Sequence, residues 1–133
     1  MIIHVGGTGT QDGGTEAQLQ QVYRCLKALY DSGARVFHHG DCVGADAQMH
    51  DIALRIGYNV VIHPPVDSKK RAFCMGGEML SCRPYLRRNQ DIVNAVSHLV
   101  AVTRTNKEES RSGTWATIRY ARKMRKRIHM IGV

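Results

Sequence analysis

Short apolar runs alternate with helix-period runs along the whole chain, and this alternation limits the fold more than any other feature. Residues 2–5, 36–38, 59–63, 99–102 and 128–131 read as strands. Between them, apolar residues recur at helical spacing: Leu19, Val22, Leu26 and Leu29; then Ala45, Met49, Ile52 and Ile56; then Leu86, Ile92 and Val93; then Trp115, Ile118, Ala121 and Met124. Gly33 and Gly57 stop the first two helices, Pro64-Pro65 ends the third strand, and Pro84 takes the first position of the third helix. Leu99-Val100-Ala101-Val102 is apolar on both faces, as a parallel strand covered on both sides must be. The order β-α-β-α-β-α-β-α-β predicts an α/β protein with a five-stranded parallel sheet between two layers of helices. No repeat or linker divides the 133 residues, so residues 1–133 are expected to form one domain.

In such a sheet, ligands bind beyond the carboxyl ends of the strands. Three junctions rich in glycine and hydroxyl groups fall there. The central one is Gly40-Asp41-Cys42-Val43-Gly44-Ala45-Asp46, after His38-His39 and before a helix. Glycine allows a tight turn and a close approach of backbone to ligand, and the following helix turns N–H groups and partial positive charge toward it. Asp41 and Asp46 would repel a phosphate, so they are expected to cap the helix or accept bonds from ribose hydroxyls. The second junction contains Gly6, Gly7, Thr8, Gly9 and Thr10 and continues to Thr15. It reads either as a phosphate-binding loop or as a long mobile turn; no P-loop lysine follows. The third is Ser112-Gly113-Thr114.

Arg87, Arg88 and Asn89 crowd the start of the third helix, where basic side chains are usually disfavoured. An anionic partner nearby, or plain solvation, accounts for them. Residues 67–83 show no period and read as a lid over the ligand or as a surface loop. The net charge is +8, concentrated in Arg119, Arg122, Lys123, Arg125, Lys126 and Arg127. That cluster reads as a nucleic-acid patch, as the solvated face of the last helix, or as general attraction for anionic small molecules.

The four cysteines include no C-x-x-C pair and the seven histidines no H-x-x-x-H pair, so no metal is expected. His38-His39 at a strand end points mildly to a polar site. No apolar run is long enough to span a bilayer. The opening residues run into a strand without a basic start or cleavage site, so a cytoplasmic protein is expected.

The ordered set of Gly40-Asp41-Cys42-Val43-Gly44-Ala45-Asp46, His63-Pro64-Pro65, Arg88-Asn89-x-x-Ile92-Val93 and Arg111-Ser112-Gly113-Thr114-Trp115-x-Thr117 resembles the SLOG superfamily. This group joins the DNA-processing Smf/DprA proteins to the LOG enzymes, and the chain is most similar to its small single-domain YspA/YpsA-like branch. The resemblance implies a Rossmann-like sheet of strand order 3-2-1-4-5 that binds nucleotides or nucleotide-derived ligands. It also implies assembly into dimers or tetramers, and no separate cofactor. LOG enzymes cleave the N-glycosidic bond of nucleoside monophosphates with a P-G-G-x-G-T-x-x-E motif and an upstream arginine. Gly113-Thr114 matches the motif's G-T, but its glutamate position falls on Thr117, and threonine neither takes up a proton near neutral pH nor stabilises an oxocarbenium-like charge. Asp41, Asp46 or Glu16 would have to substitute, with Arg87 or Arg88 on the phosphate.

The leading expectation is therefore a sensor or sequestering protein for a nucleoside phosphate or ADP-ribose-like signal. Gly6, Gly7, Thr8, Gly9, Thr10, Ser112, Gly113 and Thr114 would donate to phosphate, Arg88 and Arg111 would supply charge, and Asp41 or Asp46 would hold ribose. The alternatives are a phosphoribohydrolase and a nucleic-acid binder.

Overall fold

The computed structural model describes residues 2–133. Ten elements follow one another: β1 (Ile3–Gly9), α1 (Glu16–Asp31), β2 (Ala34–His39), α2 (Ala45–Ile56), β3 (Asn59–Ile62), β4 (Glu78–Met79), α3 (Tyr85–Ala95), β5 (His98–Val102), α4 (Gly113–Lys123) and β6 (Arg127–Ile131). Every strand pairing is parallel. Helices α1 and α2 pack together on one face of the sheet, and α3 and α4 on the other.

The sheet corrects the expectation of five strands. It has six, in the order β4-β3-β2-β1-β5-β6, which also departs from 3-2-1-4-5. The added strand comes from residues 67–83, whose sequence has no strand period. Glu78 and Met79 join the edge by pairing with Val61 and Ile62 of β3. A two-residue edge strand exposed on its outer side carries no alternation to read.

β1 is a second correction. Gly6, Gly7, Thr8 and Gly9 belong to the strand rather than to a loop. Gly7 is required by packing: a Cβ there would stand 2.6 Å from Phe37 Cζ and 3.0 Å from Met49 Cε. The bare backbone lets α2 and β2 close onto the centre of the sheet, where Val5, Phe37, Met49, Val22, Leu26 and Val102 form the larger core.

Three local devices fix the carboxyl edge of the sheet. Thr15 and Gln18 form a reciprocal capping box at the start of α1. The buried Gln18 amide then donates to the carbonyls of Thr103 (2.8 Å) and Ile131 (3.1 Å), tying α1 to the ends of β5 and β6. Ser112 caps α4, its hydroxyl accepting from the Trp115 amide at 3.3 Å. Pro84 stands just before α3 as its cap residue, one position earlier than expected.

Candidate ligand-binding site

A cleft of about 810 Å³ opens where β1 and β5 end and α4 begins. Gly9, Thr10, Gln11 and Asp12 form one wall, and Thr103, Arg104, Glu109, Ser110 and Arg111 another. The first turn of α4, from Ser112 to Trp115, forms the floor, and Tyr85 of α3 closes one side. The first-turn amides of a helix lack intrahelical partners and carry partial positive charge. Here the Ser112 hydroxyl occupies one of them, and the rest of that turn lines the cleft.

Thr103 and Trp115, two residues of this lining, each bury a polar atom that has no partner among the described residues: Thr103 Oγ1 and Trp115 Nε1. Their residues are 1% and 5% exposed. Buried polar groups are ordinarily satisfied, because an unmade bond costs about 1–3 kcal/mol. Charge is mixed. Arg104 is held by Glu109 at 2.6 Å and approaches Asp12 at 4.0 Å. Arg111 is exposed and, among the described residues, in no ion pair.

The central junction braces the cleft from behind. Gly44 has φ of 88°, and a Cβ there would strike the Gln11 and Thr10 carbonyls, so only glycine fits without strain. The Ala45 amide donates to the Thr10 carbonyl at 3.0 Å, and the Gly14 amide donates to the Gln48 side chain at 2.8 Å. Gly9 in turn abuts Ala45. The three junctions thus share one edge, but only those at Gly9-Thr10 and Ser112-Gly113-Thr114 line the cleft.

Of the residues expected to bind ligand, Gly9, Thr10, Arg111, Ser112, Gly113 and Thr114 line the cleft. Gly6, Gly7 and Thr8 lie deeper in β1, and Arg87 is exposed on α3 away from the lining. Gly40, Asp41, Gly44, Asp46, Arg88 and Asn89 do not line it either, because the fold employs them internally. The buried Arg88 donates through Nη1 to the carbonyls of Gly40 and His63 (2.9 Å to the latter) and through Nε to Asn89 Oδ1 at 2.8 Å. Asp46 accepts from the amides of Gly40 (3.2 Å) and Cys42 (3.3 Å). Burial pushes its carboxyl up to about 6, with Arg88 and those two amides pulling the other way. Asp41, at φ of 58°, receives Arg71 Nε at 2.7 Å and the Cys74 amide at 2.8 Å. Burial alone would raise its pKa, but Arg71 and Cys74 bring it below the ordinary carboxylate value. Asp41, Asp46 and Arg88 therefore stand outside the cleft as candidates for catalysis. Glu16 heads α1 and does not line the cleft either. Thr117 is buried, and its hydroxyl donates to the Gly113 carbonyl at 2.9 Å.

Residues 67–83 form a strap over the central junction. Cys42 and Arg71 form an antiparallel bridge, the Val43 amide donates to Lys70, and the Ala72 amide donates to Asp41. Beneath it, His39, His50 and Cys74 each bring one ligand-type atom within 4.8 Å of the others, a cluster that no short-range spacing signals. On α4, Arg119 and Arg122 both pair with Glu108. Among the described residues no helix is long and apolar enough to cross a membrane.

Tyr85, Thr103, Arg104 and Glu109 were not among the expected ligand residues. The signal was available for the last three: a polar loop directly after the apolar strand 99–102 falls at the carboxyl edge, where ligands bind.

Comparison by sequence finds no matching protein family and no matching curated protein. Comparison by structure does find similar folds. A molybdenum cofactor binding protein from the phototrophic bacterium Rippkaea orientalis superposes with a TM-score of 0.74 at 16% identity, over 98% of this chain and 76% of that one. The Moco carrier protein of Chlamydomonas reinhardtii gives 0.70 at 21% identity, over 99% and 77%. DNA processing protein A (DprA) from Streptococcus pneumoniae gives 0.70 at 17% identity, over 97% of this chain and half of that one. At these identities the likeness is one of fold.

Proposed function

Taking the SLOG fold as premise, we propose that this protein binds a phosphate-bearing, nucleotide-derived small molecule in the cleft at the head of α4, as a carrier, sensor or sequestering protein. The observation that carries this reading is the convergence of the β1 end (Gly9, Thr10), the exposed Arg111 and the Ser112-capped first turn of α4 on one cleft. Phosphate suits the first turn of α4, where Gly113 and Thr114 lie with the exposed Arg111 beside them. Tyr85, partly exposed on the cleft wall, offers a ring face to a base or other planar group. Binding of a molybdenum cofactor by proteins of this fold supports a carrier role for such a cleft. Binding without cleavage is the simpler reading, since the lining carboxylates are Asp12, which is exposed, and Glu109, which is paired with Arg104. The reading carries with it the expectation of a dimer or tetramer.

Trp115 is the sole tryptophan and sits in the lining, so its fluorescence reports occupancy directly. Titration with AMP, ADP and ADP-ribose is expected to give a saturable change for at least one of them, without release of free base. Arg111→Ala should weaken that binding about tenfold or more. Native mass spectrometry of protein taken from cells would report bound molecule and subunit number together. An empty protein that gives no saturable calorimetric signal with any of the three nucleotides at millimolar concentration overturns the reading.

A further inference from the structure

Three side chains from separate elements converge beneath the strap, away from the cleft. His39 ends β2, His50 lies on α2 and Cys74 on the strap. Both histidines are buried and the cysteine is half-buried. His50 Nε2 lies 2.6 Å from the Met75 carbonyl, so it carries the ring proton, and Nδ1 presents its lone pair to His39 Nε2 at 2.9 Å. A backbone carbonyl behind the ring is the usual support of a metal-binding histidine. Two imidazole nitrogens on a tetrahedral ion, each at ~2.1 Å, stand about 3.4 Å apart. Opening the present gap by about half an ångström would therefore admit an ion.

We propose that His39, His50 and Cys74 bind one Zn²⁺ ion, with water in the fourth position, and that the ion fastens the strap to β2 and α2. Two imidazoles and a thiolate suit a borderline-soft cation, and the trio offers no oxygen donor to a hard one. The protons balance as follows. Cys74 loses its S–H proton to solvent when the metal–sulfur bond forms. His39 moves its proton from Nε2 to Nδ1, where it now accepts from the Asp41 amide at 2.9 Å. The Asp41 amide and the new Nδ1–H are then both donors and must both turn to other acceptors, which costs roughly one to four orders of magnitude in affinity. Zinc ligation outweighs this by several orders of magnitude. One proton leaves per ion bound.

The test uses the full chain, stripped with chelator and titrated with ZnCl₂ by calorimetry in two buffers of different ionisation enthalpy, and with CoCl₂ by absorbance. One ion per chain, one proton released, and an intense thiolate-to-cobalt charge-transfer band are expected. Cys74→Ser and His50→Gln should abolish that band, and Cys82→Ser should keep it. Should the first two variants fail to fold, hydrogen exchange of residues 70–76 in the wild type decides, with protection by zinc expected. Absence of stoichiometric binding, a cobalt spectrum without the thiolate band, a band that survives Cys74→Ser, or exchange unchanged by zinc overturns the proposal. None of these readouts depends on the nucleotide cleft, so either proposal can fail alone.

Discussion

Arg88 shows how far a single residue can mislead a reader of sequence. A basic side chain in the first turn of a helix opposes the local dipole and suggests a bound anion. The counterweight lies inside the chain. Its guanidinium is fully buried, reaches the carbonyls of Gly40 and His63, and stands over the Tyr85 ring at 4.8 Å. It is also the positive charge acting on buried Asp46. Arg88→Ala strands those carbonyls and leaves Asp46 uncompensated, at an expected cost of about 3–5 kcal/mol in chemical denaturation. A loss below about 1 kcal/mol would mean that the side chain is not the pin described. Gly7 makes the complementary point. Its role is to leave out a Cβ that Phe37 and Met49 would strike, so a glycine that reads as loop is a strand residue.

Among the elements, the strap is where the fold departs most from expectation, and its links are all long-range. Asp41 gathers Arg71 and the Cys74 amide from about thirty residues away, and Pro65 bridges to Arg83. Arg71→Ala should leave a fully buried carboxylate with its amide partner alone and loosen the strap. Hydrogen–deuterium exchange at Ala72 and Cys74 is expected to quicken by one to two orders of magnitude, while α4 is unchanged; uniform exchange would place the anchor elsewhere. Legibility follows the range of the interactions. The α/β alternation, the helix stops at Gly33 and Gly57 and the junction Ser112-Gly113-Thr114 at the head of α4 rest on neighbours in sequence and were readable. Six of the expected ligand residues reached the cleft because strand ends and helix starts are local features. The roles of Asp41, Asp46 and Arg88, the edge strand β4 and the His39–His50–Cys74 cluster depend on contacts between distant segments, and no spacing encodes them.

Across the molecule, buried ionisable groups set a common pH response. Burial holds His38 and His39 down at about 3 and His63 at about 4. The remaining causes differ: the neighbouring His63 and His4 add to the effect on His38, His50 adds to that on His39, and Asp91 opposes it at His63. Each of these histidines takes up a proton on unfolding once the pH falls below ~6.5. Their stabilising effect is therefore present above that value and is lost as the pH drops toward the folded values. Asp46 works in reverse: raised to about 6, its contribution holds at low pH and fades as the pH climbs through that value. Three groups against one leave about two protons taken up on unfolding between roughly pH 6 and 4, a slope on the order of 2–3 kcal/mol per pH unit. The melting temperature of the metal-free protein should fall steeply from pH 7 to 5. A flat profile would mean that these histidines are charged in the fold.

β1 sits between β2 and β5, with Val5 beside His98 and Gly9 beside Val102. Synthesis runs from the amino end, so the centre of the sheet emerges first and one of its two neighbours emerges last but one. Until then the growing polypeptide carries a bare, glycine-rich ledge, and only non-local docking can seal it, a slow step. A fragment ending at Val96 should for that reason clump rather than stay in solution, and the nascent protein should lean on a chaperone until its final two strands arrive.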